Sequence, residues 1–278
     1  MPYASVNSVR IFYNIYGGDR DSRNSAIVLL HGLGSSGDDW PLQLMAFAPQ
    51  HRVIAVDARG HGRSDKPRGG YSVAQMADDL AELLAQLGEP PAHLVGLSLG
   101  GCAALQMAIS QPARVRSLVL VNTFARLRPA GWRGALRFAR RLWLLAFAPM
   151  RVTAEFIARG LFPKPEQHLF YKACVARLAA NPKRSYFNAI RALVTFDAAS
   201  RLREIACPTL VVAGERDATI PLSVKERLAR GIPGAQLIII PDSGHATPYD
   251  QAARFNRIVL EFVGDVALRE RREMQSPG

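Results

Sequence analysis

The stretch from His93 to Ile109 constrains this chain more than any other. His93-Leu94-Val95 reads as a strand, Gly96-Leu97-Ser98-Leu99-Gly100-Gly101 follows at once, and Cys102 to Ile109 has an Ala-rich helical pattern. A strand that enters a helix through G-x-S-x-G turns sharply at the serine and strains its backbone. The residues two before and two after must then be small, and Gly96 and Gly100 meet that need. The turn lifts the Ser98 hydroxyl clear of the sheet, over a helix N-terminus. Such a serine reads as a nucleophile. The plainer alternative is a Gly-rich strand–helix turn in which Ser98 only caps the helix.

The rest of the chain supplies the frame for that turn. Ala4 to Val6 and Val9 to Tyr16 predict a hairpin turned at Asn7-Ser8. Ala26 to Leu30 is wholly apolar, as a buried central strand requires. Further strands are expected at Arg52–Val56, Val115–Val121, Pro208–Ala213 and Leu237–Ile240. Helices are expected at Leu42–Phe47, Ser72–Leu87, Leu222–Arg230 and Pro248–Val263, with a frayed charged tail from Leu268. Strands alternating with helices imply a mostly parallel sheet covered on both faces, an α/β fold. After Asn122 strand signals stop. Arg-rich helical patterns then run to about Ala199, broken at Pro129, Pro149, Pro163, Pro165 and Pro182. The division expected is a core of residues 1–122 and 200–278, with an inserted helical cap over 123–199.

A hydrophobic content of 49% in 278 residues fits a globular chain rather than a disordered one. Met1 to Val9 lacks a basic and an apolar region, so no secretory signal is expected, and Leu142 to Met150 is too short to span a bilayer. Three widely spaced cysteines, Cys102, Cys174 and Cys207, suggest reduced thiols and a cytoplasmic location. No metal-ligand spacing or phosphate loop is present. The net charge of +12 is confined: from Thr123 to Arg203 there are 16 Lys/Arg against 3 Asp/Glu, and the remainder is close to neutral. No nucleic-acid motif accompanies that charge, so no nucleic-acid partner is expected.

In open α/β sheets, chemistry gathers at the C-terminal ends of strands. Two more such ends carry suitable residues: Gly214-Glu215-Arg216-Asp217 and Pro241-Asp242-Ser243-Gly244-His245. His245 can take the Ser98 proton and return it to a leaving group, and Asp217 can hold the imidazole and stabilise its charged form. Asp242 and Asp57 compete for the acid's place. His31 and His61 read as structural, and Cys102 as packing.

With these residues in view the chain resembles the α/β-hydrolase superfamily. Gly-Leu-Ser-Leu-Gly-Gly at 96–101, Gly-Glu-Arg-Asp at 214–217 and Ser-Gly-His at 243–245 resemble its nucleophile, acid and histidine motifs. His31-Gly32-Leu33-Gly34 resembles its oxyanion loop. The resemblance implies an oxyanion hole made by the backbone N–H groups of Leu33 and Leu99, and a helical cap where the insertion falls. The stretch Val56 to Ser64 is similar to small bacterial esterases, enol-lactonases of the 3-oxoadipate type and C–C-bond hydrolases. Epoxide hydrolases and haloalkane dehalogenases are disfavoured, since they place Asp where this chain has Ser98. The expected activity is hydrolysis of a small carboxylic ester or lactone through an acyl-enzyme, without cofactor or metal. A C–C hydrolase, a thioesterase, an acyltransferase or a non-catalytic receptor on the same fold stays open.

The cap carries a further pattern. Arg133, Arg137, Arg140 and Arg141 share one helical face, and Ala135, Phe138, Ala139, Leu142, Leu145 and Ala146 share the opposite one. The plain expectation is a helix whose apolar face roofs a pocket while its arginines face water. The others are a lid that draws in anionic substrates and a helix that makes peripheral contact with an anionic membrane. Trp40, Phe124, Phe138 and Leu142 are expected to line the pocket, with Phe147, Phe156, Phe162 and Phe170 as further roof residues.

Overall fold

The computed structural model describes residues 2–18, 25–127 and 131–275. Strands β1 (Tyr3–Val6) and β2 (Val9–Tyr16) form the expected hairpin. Asn7 and Ser8 take φ of 45° and 64°, as a two-residue turn matched to strand twist demands. Next come β3 (Ile27–Leu30), α1 (Pro41–Phe47), β4 (Val53–Val56), α2 (Val73–Gln86), β5 (Ala92–Leu97), α3 (Leu99–Ser110) and β6 (Val115–Val121). Four helices follow without a strand between them: α4 (Gly131–Phe147), α5 (Met150–Leu161), α6 (His168–Ala179) and α7 (Lys183–Thr195). The alternating pattern then resumes with β7 (Thr209–Gly214), α8 (Leu222–Gly231), β8 (Gln236–Ile240), α9 (Thr247–Asp250) and α10 (Ala252–Gln275).

The eight strands lie in the order β1-β2-β4-β3-β5-β6-β7-β8. The hairpin is antiparallel to its neighbours and every other pair is parallel. Alternation sorts the side chains of β3: Val28 and Leu30 face one core with α2, α3 and α8, while Ile27 and Leu29 face the other with α1 and α10. Both faces are covered, which is why β3 and β4 are apolar throughout. Helices α4 to α7 have a core of their own, with Leu145, Ala154, Leu178, Tyr186 and Ile190 in contact.

Three expectations need correction. The final helix is split at Gln251 and runs on to Gln275, where a frayed tail from Leu268 was expected. Its charged end is tied down, because Glu270 accepts from Arg116 on β6. Residues 276–278 lie outside the described residues.

Trp40 does not line a pocket. It is 1% exposed and packs with Ile27, Leu29 and Phe47 in the α1–α10 core. An aromatic side chain of that volume fills core space beside a sheet as readily as it walls a cavity.

The faces of α4 are also redistributed. Phe138, Leu142 and Leu145 do turn inward, but Ala135, Ala139 and Ala146 are exposed. Trp132, Leu136, Trp143 and Phe147 are exposed with them. Arg137, Arg140 and Arg141 edge an internal cavity rather than facing only bulk water. The side chain of Arg133 lies outside the described residues.

Candidate active site

The elbow is as tight as its sequence requires. Ser98 takes φ 53° and ψ −110°, a left-handed conformation costly for a side chain. A Cβ on Gly96 would stand 2.5 Å from the Gly100 carbonyl, and one on Gly100 would stand 2.1 Å from the Leu30 oxygen. Only glycine fits either place. The Ser98 N–H donates to Val121 O at 2.9 Å, and Thr123 Oγ1 donates to Ser98 O at 2.7 Å. The end of β6 therefore holds the serine from both sides of its peptide unit.

Asp217 sits in the loop after β7 and is 7% exposed. Its Oδ1 accepts from the N–H groups of Thr219 at 2.7 Å and Ile220 at 3.0 Å. Its Oδ2 accepts from His245 Nδ1 at 2.9 Å and from Lys225 Nζ at 3.1 Å. Burial raises the pKa of this carboxyl, but the charge and hydrogen bond of His245, the Lys225 ammonium and the Ile220 N–H outweigh it. The net result is a value of about 2. Asp217 is therefore an ionised acceptor at neutral pH. The rival acids are engaged elsewhere: Asp242 is paired with Lys164 and Arg216, and Asp57 accepts from the N–H groups of Gly37 and Arg63.

The pattern of motifs missed what holds this acid. Lys225, on α8, is fully buried, and its Nζ donates to Asn122 Oδ1 at 3.0 Å, Gly214 O at 3.0 Å and Asp217 Oδ2 at 3.1 Å. All three partners are acceptors, so the charged ammonium is the form that satisfies them. Asn122, at φ 43°, sends Nδ2 to Gly244 O, His245 O and Thr247 Oγ1, at 3.1, 2.9 and 2.8 Å. Its Oδ1 also accepts from Gly214 N–H at 2.8 Å. Thus Asn122 and Thr123, adjacent at the end of β6, tie together the loops that carry Ser98, Asp217 and His245. A polar pair after a strand was the available signal, but an Asn-Thr dipeptide has too many other uses to be read.

Ser98 and His245 face one cavity of about 1000 Å³ that lies between the C-terminal strand ends and helices α4 to α7 and opens to solvent. Phe124 and Phe138 line it, with Phe156, Phe162 and Phe170. Leu142 packs against the core of the four helices instead, and Phe147 points to solvent. Leu33 lines the cavity beside Gly32, and Leu99 follows Ser98 as the first residue of α3. Among the described residues no other group engages the N–H of Leu33 or of Leu99. Two free N–H groups next to a serine suit an oxyanion.

His31, His61 and the three cysteines are held in their neutral forms. His31 Nδ1 donates to Gly32 O at 2.8 Å and Nε2 accepts from the Ala58 N–H at 3.0 Å, so the ring is neutral and fixes the loop after β3 to the loop after β4. Burial lowers the pKa of His31 and takes that of His61 to about 3. Burial also pushes Cys102 and Cys174 up to about 12 and Cys207 to about 11, which leaves the thiols protonated. No group of three metal-ligating side chains occurs among the described residues.

The chain is similar to several known proteins over most of its length. The carbamate hydrolase RutD of Variovorax paradoxus (strain S110), so named on a provisional basis, is 38% identical over 264 residues, covering 92% of this chain and 97% of that protein. The enol-lactonase from Burkholderia xenovorans LB400 superposes with a TM-score of 0.86 at 27% identity, covering 95% of this chain and all of the other. Est816, described as an N-acyl homoserine lactone degrading enzyme, superposes with a TM-score of 0.81 at 30% identity over 94% of this chain and 100% of that one. The family model described as alpha/beta hydrolase fold matches residues 25–252, and the chain belongs to that family.

Proposed function

We propose that this hydrolase cleaves a carboxylic ester or lactone through an acyl-enzyme on Ser98, with His245 as base and acid and Asp217 as its orienting partner. The observation that carries the proposal is the buried 2.9 Å contact between Asp217 Oδ2 and His245 Nδ1, on the cavity that also holds the left-handed Ser98. With Nδ1–H committed to Asp217, Nε2 is the free base. It takes the Ser98 proton as Oγ bonds to the substrate carbonyl carbon. The N–H groups of Leu33 and Leu99 receive the developing oxyanion, and the alcohol leaves with the proton that His245 returns. Water then splits the Ser98 ester by the same route and releases the acid.

Helices α4 to α7 act in this reading as a cap that keeps the reacting carbonyl from bulk water. Similarity to enzymes of lactones and esters supports the substrate class. Similarity to RutD makes carbamates a second acyl class, since their carbonyl meets the same nucleophile and oxyanion donors.

The test is turnover of p-nitrophenyl esters of graded chain length, lactones and carbamates by wild type and Ser98→Ala. Loss of the nucleophile should lower kcat by about a million-fold on whichever class is turned over. Equal turnover by the two proteins would exclude the acyl-enzyme.

A further inference from the structure

Helix α4 carries its largest apolar side chains on the outside. Trp132 is 72% exposed, Leu136 61%, Trp143 60% and Phe147 75%. At 100° per residue these four fall within an arc of roughly 60°, and the exposed Ala135, Ala139 and Ala146 widen it on one side. The inward side is separate: Leu144 and Leu145 are buried, and Phe138 and Leu142 are half-buried. The helix is thus apolar on two faces, and its own fold uses only one. Trp143 and Phe147 also contact each other, with ring centroids 5.8 Å apart, so the outer face is a continuous patch.

Charge says what could cover it. From Phe124 to Ala154 the chain has seven arginines and no acidic residue. Arg137 and Arg140 are exposed on the flank of the apolar arc. A second copy laid on this face would set arginines against arginines in a chain of net charge +12. An anionic surface that also accepts tryptophan and phenylalanine meets both requirements at once. The helix has 17 residues, and no helix among the described residues is long and apolar enough to cross a membrane, so it can lie on a bilayer but not span it.

The geometry points to α4 as an interfacial helix that docks the protein on an anionic lipid bilayer. Trp132, Leu136, Trp143 and Phe147 enter the headgroup–acyl boundary, and the arginines beside them meet lipid phosphates. The inner side of the same helix, through Phe138 and Arg141, lines the cavity that holds Ser98, and the exposed Arg137 and Arg140 stand at its edge. An amphiphilic ester leaving the bilayer at α4 would thus meet the cavity directly. That last step rests on the hydrolase reading, whereas docking does not.

The test is co-sedimentation with vesicles of phosphatidylcholine alone and of phosphatidylcholine with 30% phosphatidylglycerol. Wild type should bind the anionic vesicles, bind them less as salt rises, and show a blue-shifted tryptophan emission on binding. The triple variant Leu136→Ser, Trp143→Ser, Phe147→Ser should bind at least about tenfold more weakly. It should keep its melting temperature and its turnover of a water-soluble ester, because none of the three residues lines the cavity. Ser98→Ala should bind like wild type, which separates docking from catalysis. The proposal is overturned if wild type ignores anionic vesicles, or if the triple variant binds them as well as wild type does. It is equally overturned if light scattering finds a dimer that the triple variant dissolves while neither protein binds vesicles.

Discussion

At the scale of single residues, Asp217 is the best-held group in the site. Four donors converge on its two oxygens, one of them the His245 imidazole. Asparagine there would present either an N–H or a weaker oxygen to Nδ1 and disturb the His245 tautomer. Asp217→Asn should therefore lower kcat by about four orders of magnitude. Asp242→Asn should change it far less, because Asp242 pairs with Lys164 and Arg216 while Asp217 holds His245 Nδ1. Steady-state assays of the two variants decide the matter, and a larger loss for Asp242→Asn would move the acid to that loop. Lys225 is the second residue to probe. Lys225→Met removes one donor each from the Asp217 carboxylate, Asn122 Oδ1 and Gly214 O, all of which keep other partners, and should cost about 1–3 kcal/mol in a denaturant melt. It also removes one of the donors that fix the Asp217 carboxylate against His245 Nδ1, so kcat should fall as well. A melt and a kcat both like wild type would mean that the ammonium does neither job.

At the scale of elements, the strand–turn–helix at Ser98 was legible because every requirement of the turn lies within six consecutive residues. Gly100→Ala tests the argument. The new Cβ would fall 2.1 Å from a backbone oxygen of β3, so β3 or α3 must move. The variant should lose several kcal/mol of stability, judged by melting, and most of its turnover. A variant that melts and turns over like wild type would show that the elbow has slack.

The polar clamp was illegible for the opposite reason. Asn122 reaches His245 across 123 positions, and Lys225 sits on a short amphipathic helix where a lysine ordinarily faces water. Helix α4 misled because it has two apolar faces, and a helical wheel cannot tell which one the fold will bury. The charged end of α10 looked frayed because the partner that orders it, Arg116, is 154 residues away. Pairing across such distances is settled by packing, not by local pattern.

At the scale of the whole molecule, acid should unfold this protein through its buried imidazoles. Burial takes His61 and His93 to about 3 and lowers His31 as well, against an ordinary value of about 6.5. A group with a depressed folded-state pKa lends stability that is present above its unfolded value and lost as pH falls toward the folded one. The loss should run from about pH 6.5 down toward pH 3, at up to about 1.4 kcal/mol per pH unit for each imidazole. Below about pH 4 Asp217 adds to it, since its carboxyl is held near 2. Melting temperatures should hold from pH 7.5 to about 6.5 and fall from there to pH 4.5, and the slope should flatten in His93→Gln, which no longer carries one of these titrating groups. A pH-independent melt over that range would mean the imidazoles are hydrated.

The central claim is that Ser98 is a nucleophile poised by His245. Its most direct measurement is mass spectrometry of the intact protein and its tryptic peptides after exposure to a fluorophosphonate. The probe needs no knowledge of the natural substrate. Wild type should gain one phosphonyl group, mapped to the peptide that contains Ser98. His245→Ala should gain it far more slowly, and Ser98→Ala should not gain it at all. Unmodified wild type, or equal modification of wild type and Ser98→Ala, would contradict the account.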